Sequence, residues 1–262
     1  MLAARDLSLM LGGTPVLAGV SAAIVPGRIM AIIGPNGAGK SSLIAALAGL
    51  HRPTAGVVTL DDVALASLDP RARARRIGFL PQVAEVNWDI DVETLVALGR
   101  LPHRGRGGAS AADAAAIGAA MAATDCTALA GRVVGSLSGG ERARVLLARV
   151  LAGQPDYLLA DEPLANLDPG HQIDTLACLR AAASAGAGVA IVLHDLAHAA
   201  AIADDLLLLD RGRVAAAGAA ATVLAPAIMA RVYGISAQTA VLPDGQTRLV
   251  VTGRTGLSPR SA

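Results

Sequence analysis

The segment Gly34-Pro35-Asn36-Gly37-Ala38-Gly39-Lys40-Ser41 fits the spacing GxxxxGK[ST], with the apolar run IMAII before it and SSLIAALAGL after it. A strand, a glycine-rich turn and a helix in that order form a phosphate cradle. The glycines let successive backbone N–H groups turn inward on an anion, and the helix N-terminus adds positive potential. Lys40 is then expected to reach the terminal phosphate oxygens and Ser41 to supply a ligand to Mg²⁺. Lys40 is also the only lysine in the chain, the other 21 basic residues being arginine. A slim ammonium enters a phosphate loop where a forked guanidinium is too wide. Further along, Leu158-Leu159-Ala160-Asp161-Glu162 is an apolar run ending in two acids. Asp161 is expected to hold Mg²⁺, and Glu162 to orient or deprotonate the water that attacks the γ-phosphate. Together these residues point to hydrolysis of a Mg-nucleotide.

A second anion-facing helix start is expected at Leu137-Ser138-Gly139-Gly140-Glu141, which opens the run ERARVLLARVLAG. With GPNGAGKSS (Ser41 and Ser42 included), Gln82 after IGFL, LSGGE, LLADEP, Asp168 in ANLD and His194 in VLHD, the chain resembles the ATP-binding subunit of an ABC transporter. The motifs occur in family order and span most of residues 2–235. The resemblance implies a head-to-tail homodimer in which two ATP molecules are sandwiched, each between the phosphate loop of one copy and Ser138, Gly139 and Gly140 of the other. It assigns Gln82 to Mg²⁺ and to sensing the membrane partner, Asp168 to communication across the dimer, and His194 to a γ-phosphate contact.

RRIGFLPQ at 75–82, LVALGRLPH at 95–103, and Leu167-Asp168 followed by His171-Gln172 are similar to importer ATPases for iron-siderophores, haem and cobalamin. Such importers pair two ATPase copies with two transmembrane permease subunits and a periplasmic substrate-binding protein. The resemblance therefore implies a peripheral subunit on the cytoplasmic face of the inner membrane. Residues 82–103 are expected to touch the permease, because the Gln82 loop leads from the γ-phosphate into the helical insertion and carries Trp88 as an exposed candidate, though Trp88 reads equally as core. An exporter subunit is the nearer alternative. ABC ATPases of translation or DNA repair are disfavoured, since one cassette is present and no long heptad insertion separates Lys40 from Asp161. A monomeric phosphate-loop kinase or GTPase would leave LSGGE without a purpose, and the guanine-reading NKxD motif is absent.

The elements that must position these residues are legible as apolar runs at 28–33, 77–80, 157–160 and 189–193, several followed by helical stretches, which is the rhythm of a parallel α/β fold. Runs at 2–10 and 16–25, joined by Gly12-Gly13-Thr14, read instead as antiparallel strands. Helical candidates replace strand signals at 92–98, 110–123 and 140–151. The expectation is an α/β P-loop NTPase (RecA-like) core with an N-terminal antiparallel β layer and an inserted helical subdomain. One ABC ATPase domain would span 1–240, with the nucleotide-binding core at 1–84 and 154–240 and the helical subdomain at about 85–153. Residues 241–262 would form a C-terminal extension, loose from about Gly253.

Composition narrows the partners. Hydrophobic residues make up 53 % of the 262 and charged ones 16 %, so the signature of a disordered chain is absent. A net charge of +1 and only four aromatics leave neither the field nor the stacking platform that nucleic acid requires, and no nucleic-acid partner is expected. Arg5 and Asp6 interrupt the only early apolar stretch, so no signal peptide is expected. Cys126 and Cys178 are too far apart for a CxxC site and are expected to be buried apolar groups. His194 and His198 in HDLAH mimic the zinc spacing HExxH on one helical face, but Asp195 replaces the glutamate and no third ligand is evident, so zinc is set aside. Where the family places an aromatic to stack on adenine, this chain has Leu11, so aliphatic contact from Leu11 and Val16 is expected to serve the base.

Overall fold

The computed structural model describes residues 1–82, 89–105, 108–165, 167–241 and 247–255. Trp88 and the rest of 83–88 lie outside the described residues.

The chain opens with β1 (Leu2–Leu11) and β2 (Thr14–Ile24), an antiparallel hairpin registered from Leu2↔Ile24 to Leu11↔Thr14. Gly12 and Gly13 make its turn at φ +55° and +81°, backbone space that a Cβ disfavours. The chain then leaves this layer for β3 (Ile29–Ile33) and α1 (Lys40–Leu47) before returning as β4 (Ala55–Leu60) and β5 (Val63–Ala64). The resulting antiparallel sheet has the order β2-β1-β4-β5.

After α2 (Pro70–Arg76) and β6 (Ile77–Leu80) come three helices: α3 (Val92–Ala97), α4 (Ala111–Ala123) and α5 (Gly139–Ala152). The chain then runs through β7 (Tyr157–Asp161), α6 (Pro169–Ser184), β8 (Gly188–Val192), α7 (Leu196–Ile202), β9 (Asp205–Asp210) and β10 (Arg213–Gly218). The central sheet has the order β10-β9-β3-β8-β7-β6, parallel throughout except for β10 at one edge.

Its inner strands are continuous apolar runs because both faces are covered. Ile29, Ala31 and Ile33 of β3 join one core with Leu158, Ala160, Val189, Ile191, Leu206 and Leu208. The alternate residues Ile32, Leu159, Ala190, Val192, Leu207 and Leu209 join a second core beneath α1 and the antiparallel layer. Tyr157 supplies the fully buried ring of that second core, with Phe79 packed against it, and Gly188 lies so close that a Cβ would stand 2.8 Å from the Tyr157 ring.

A buried ion pair ties α4 to the end of α5. Arg100 donates to Asp113 Oδ1 (2.8 Å), to the Ala152 carbonyl (2.9 Å) and to Gln154 Oε1 (3.0 Å). Asp113 also closes the capping box of α4 with Ser110. The Arg100 guanidinium first, and then the Ser110 backbone and hydroxyl, hold this carboxyl well below the usual carboxylate range. Its contribution to stability is therefore fully present above the unfolded pKa of about 4 and is lost as pH falls toward the folded value. Asp113→Asn is expected to lower the calorimetric unfolding temperature by several degrees at pH 7, because it strands a buried guanidinium. The difference from the parent should shrink below about pH 4; equal unfolding temperatures at pH 7 would contradict this account.

The chain ends with α8 (Ala220–Val223), α9 (Pro226–Tyr233) and a hairpin of β11 (Ile235–Val241) with β12 (Thr247–Arg254). This moves the start of the expected loose tail beyond Gly253 and Arg254. Gly253 pairs with Ser236 and Arg254 with Ile235, since the β-branched run TRLVVTGR finds an antiparallel partner; residues 256–262 of the expected tail lie outside the described residues. Among the described residues no helix is long and apolar enough to cross a membrane.

Candidate functional site

Residues 34–42, Gln82, Asp161, Glu162 and His194 lie at the carboxyl ends of four adjacent parallel strands, where open α/β sheets place their ligands. Registers Leu80↔Ala160, Asp161↔Val192 and Ile32↔Val192 bring these ends level. Residues 34–41 follow β3, Gln82 follows β6, Asp161 and Glu162 end β7, and His194 follows β8. A cleft of about 550 Å³ opens there, lined by Val16, Asn36, Gly37, Lys40, Gln82, Glu162 and His194 together with Gly39, Ser41 and Ser42.

The loop itself is shaped by contacts that exclude side chains. Gly34 has φ +151°, and a Cβ on it would meet the Leu209 carbonyl at 2.3 Å. Gly39 (φ +98°) starts α1 with no side-chain cap, and no acid occupies the first turn. The free N–H groups of that turn are thereby left for an external anion. Pro35 and Ala38 close the loop through an Ala38 N–H to Pro35 carbonyl bond of 3.2 Å. Lys40 is 5 % exposed, and its ammonium donates to the Gly34 and Pro35 carbonyls at 2.9 and 3.0 Å. Burial pulls its pKa down, while Glu162 and Asp161 act in the opposite direction.

Ser41 Oγ donates to Asp161 Oδ1 at 3.1 Å. Asp161 is buried, and desolvation raises its pKa in spite of that bond. A buried carboxylate short of positive partners beside a hydroxyl is a donor set that suits a hard divalent cation. Among the described residues no three His, Cys, Asp or Glu side chains gather as a metal cluster. Glu162 stands beyond the strand tip at φ +48°, in the left-handed region that a non-glycine residue seldom adopts. Gln82 Nε2 donates to its Oε2 at 2.7 Å, and its Oε1 meets His194 Nε2. The carboxylate is thus clamped from β6 and from β8 at the rim of the cleft.

Several predicted residues stand elsewhere. Leu11, 37 % exposed at the end of β1, is not among the cleft-lining residues, whereas Val16 is. Ser138, Gly139, Gly140 and Asp168 also lie outside the cleft. The start of α5 is closed by its own capping box: Ser138 Oγ accepts the Glu141 N–H, and Glu141 Oε2 accepts the Ser138 N–H. Arg132 holds that glutamate in turn. Asp168 caps α6.

The paired-histidine reading of HDLAH is corrected. Asp195 is the cap of α7 and accepts the Ala197 and His198 N–H groups, so the helix begins after His194. The two imidazoles therefore do not share a helical face. Cys126 is buried as expected, but Cys178 is only half-buried and donates its thiol to the Ala123 carbonyl. Tyr233, at the end of α9, was not expected near the site. Burial pushes its hydroxyl up to about 12, against the opposing influence of the Gly34 backbone. Being one of the chain's four aromatics was its only signal in the sequence.

With no ring in β1 or β2, apolar contact with Val16 is what remains for a base. Aromatic stacking is worth about 1–3 kcal/mol per base, so its absence should leave selectivity weak. GTP is expected to be hydrolysed with kcat/KM within about tenfold of that for ATP. A strong preference for ATP would show that another surface holds adenine.

A sequence model described as ABC transporter matches residues 17–165. The hemin import ATP-binding protein HmuV of Bordetella parapertussis is 44 % identical over 266 aligned residues, covering 97 % of this chain and 99 % of that protein. HmuV of Pseudomonas fluorescens is 43 % identical, with 96 % and 99 % covered. Among solved structures, a metal-chelate type ABC transporter in an inward-facing conformation matches with a TM-score of 0.82 at 27 % identity, over 95 % of this chain and 96 % of that one. The dimeric bacterial ABC transporter cassette MJ0796 matches with a TM-score of 0.74 at 26 % identity, over 84 % and 99 %.

Proposed function

This chain belongs to the ABC transporter family as an ATP-hydrolysing subunit, and from that premise we propose that two copies act as a head-to-tail ATP sandwich to power import of a metal chelate, haemin before siderophore or cobalamin. The observation that carries the cargo class is the near-full-length likeness to hemin import ATP-binding proteins, supported by the metal-chelate transporter among the structural neighbours.

In this reading the loop from Gly34 to Ser42 wraps the phosphates, with Lys40 turning its ammonium from the loop carbonyls to the terminal oxygens. Ser41, Asp161 and Gln82 would hold Mg²⁺, which would supply positive charge against the phosphates. Glu162 would accept a proton from the attacking water, and His194, already on Glu162, would face the γ-phosphate. Ser138, Gly139, Gly140 and Asp168 of the second copy would complete the site. Ser138, Gly139 and Asp168 are exposed outside the cleft of a single copy, with Gly140 half-buried beside them, which supports this.

The chain would sit on the cytoplasmic face of the membrane, attached through two permease subunits that receive cargo from a periplasmic substrate-binding protein. Residues 82–103 would make that attachment. Exposed Leu101, with Arg71 and Arg75 both donating to the Pro102 carbonyl (2.8 and 2.7 Å), belongs to the described part of that surface. The test is ATP turnover of the protein assembled with its permease in vesicles, with the binding protein loaded in turn with haemin, a ferric siderophore or cobalamin. Stimulation by haemin alone supports the assignment. Stimulation by another cargo and not by haemin overturns it.

A further inference from the structure

The Asp168 cap does more than start α6. Its Oδ1 accepts the His171 backbone N–H at 3.0 Å, and its Oδ2 takes His171 Nδ1 at 2.7 Å. The same imidazole rests against the first turn of α5. A Cβ built on Gly140 would stand 3.3 Å from Nδ1, 3.4 Å from Cε1 and 3.6 Å from Cγ of His171. Three ring atoms at nearly equal range mean that the ring covers Gly140, and the missing side chain lets it approach. The next residue continues the brace, since Gln172 Nε2 donates to the Leu167 carbonyl at 3.1 Å and reaches the Leu164 carbonyl at 3.4 Å. Direct contacts therefore run from the turn after Glu162, through Leu164, Leu167 and Asp168, to His171 and across to Gly140.

We propose that His171 is a positioning residue for ATP hydrolysis, which locks the Asp168 turn and the Ser138, Gly139 and Gly140 segment of one copy into a single unit. The inference rests on the sandwich dimer described above. In that dimer, the turn that follows a copy's own Glu162 and the segment that covers its partner's nucleotide move together, so the two sites are coupled through each chain and not only across the interface. His171 is not among the residues that line the cleft, so it acts through Asp168 and Gly140. The bond to Asp168 is charge-assisted, and the carboxyl is held below its ordinary range by the His171 backbone N–H first and the imidazole second.

Side-chain reach makes the proposal testable. The amide nitrogen of asparagine lies as many bonds from Cα as Nδ1 of histidine, whereas that of glutamine lies one bond further. His171→Asn can keep the bond to Asp168; His171→Gln and His171→Leu cannot keep it at the same place. In steady-state assays of the purified full chain, the Leu and Gln variants are expected to lose about tenfold in kcat with KM nearly unchanged, a size typical of coupling between sites. The Asn variant should recover most of that loss. On a Glu162→Gln background, His171→Leu should raise the ATP concentration needed for dimerisation in size-exclusion chromatography about tenfold, and His171→Asn should not. Equal kcat in all variants overturns the proposal, and so does equal loss in Asn and Leu accompanied by the same fall in unfolding temperature. Failure of Glu162→Gln itself to dimerise refutes the sandwich and the proposal with it. A dimer that forms while the His171 series stays flat refutes the proposal alone.

Discussion

Glu162→Gln is expected to lower steady-state ATP turnover by about a hundredfold or more, while MgATP binding stays within a few fold of the parent and an ATP-bound dimer accumulates. The reason lies in what the substitution keeps. Lys40, Ser41 and Asp161 are untouched, so the phosphate cradle and the cation donors remain. An amide fills the same space at the tip of β7, and the left-handed backbone at 162, φ +48°, imposes no new demand. What disappears is a carboxylate placed between Gln82 Nε2 and His194 Nε2. An amide offers one acceptor oxygen where the carboxylate has two, and it cannot take a proton from water. Turnover persisting within a few fold, or a chain that stays monomeric in saturating MgATP by size-exclusion chromatography, would remove Glu162 from this role.

Lys40→Arg is expected to damage nucleotide binding nearly as much as Lys40→Ala, with a loss of about tenfold or more in ATP affinity by titration. The ammonium occupies a space that leaves Lys40 5 % exposed, between the Gly34 and Pro35 carbonyls. The walls of that space cannot retreat, because Gly34 is pressed against the Leu209 carbonyl and Gly39 against Leu17. A planar fork brings extra nitrogens into a site fitted to one, and overpacking of this kind costs about 1–3 kcal/mol. Near-normal ATP affinity in the arginine variant would show that the loop opens more readily than these contacts imply.

The sequence by itself determined several features built from contiguous residues. The phosphate loop is one: a strand, glycines that can take positive φ, and a helix start without a side-chain cap all follow one another in the chain. The inner strands of the central sheet are another, since runs such as IMAII and GVAIV are apolar at every step only when both faces are covered. The opening hairpin and the helices between β6 and β7 were legible for the same reason, period and turn chemistry being local.

Only the tertiary structure decided what depends on strand order. Gln82, Glu162 and His194 meet because β6, β7 and β8 are neighbours with level carboxyl ends, and no local period encodes which parallel strand lies beside which. The helix start after His194 is a local exception, set by the Asp195 cap in competition with the spacing that had placed both histidines on one face. Gly253 and Arg254 were drawn into a strand by β11, a partner that sequence periodicity does not name. Cys178 is half-buried, and of Leu11 and Val16 only Val16 lines the cleft, because exposure depends on which elements pack across one another. His171 against Gly140 is of the same kind: a helix cap and a glycine at the start of another helix are ordinary locally, and they become one device only when α5 and α6 are brought together.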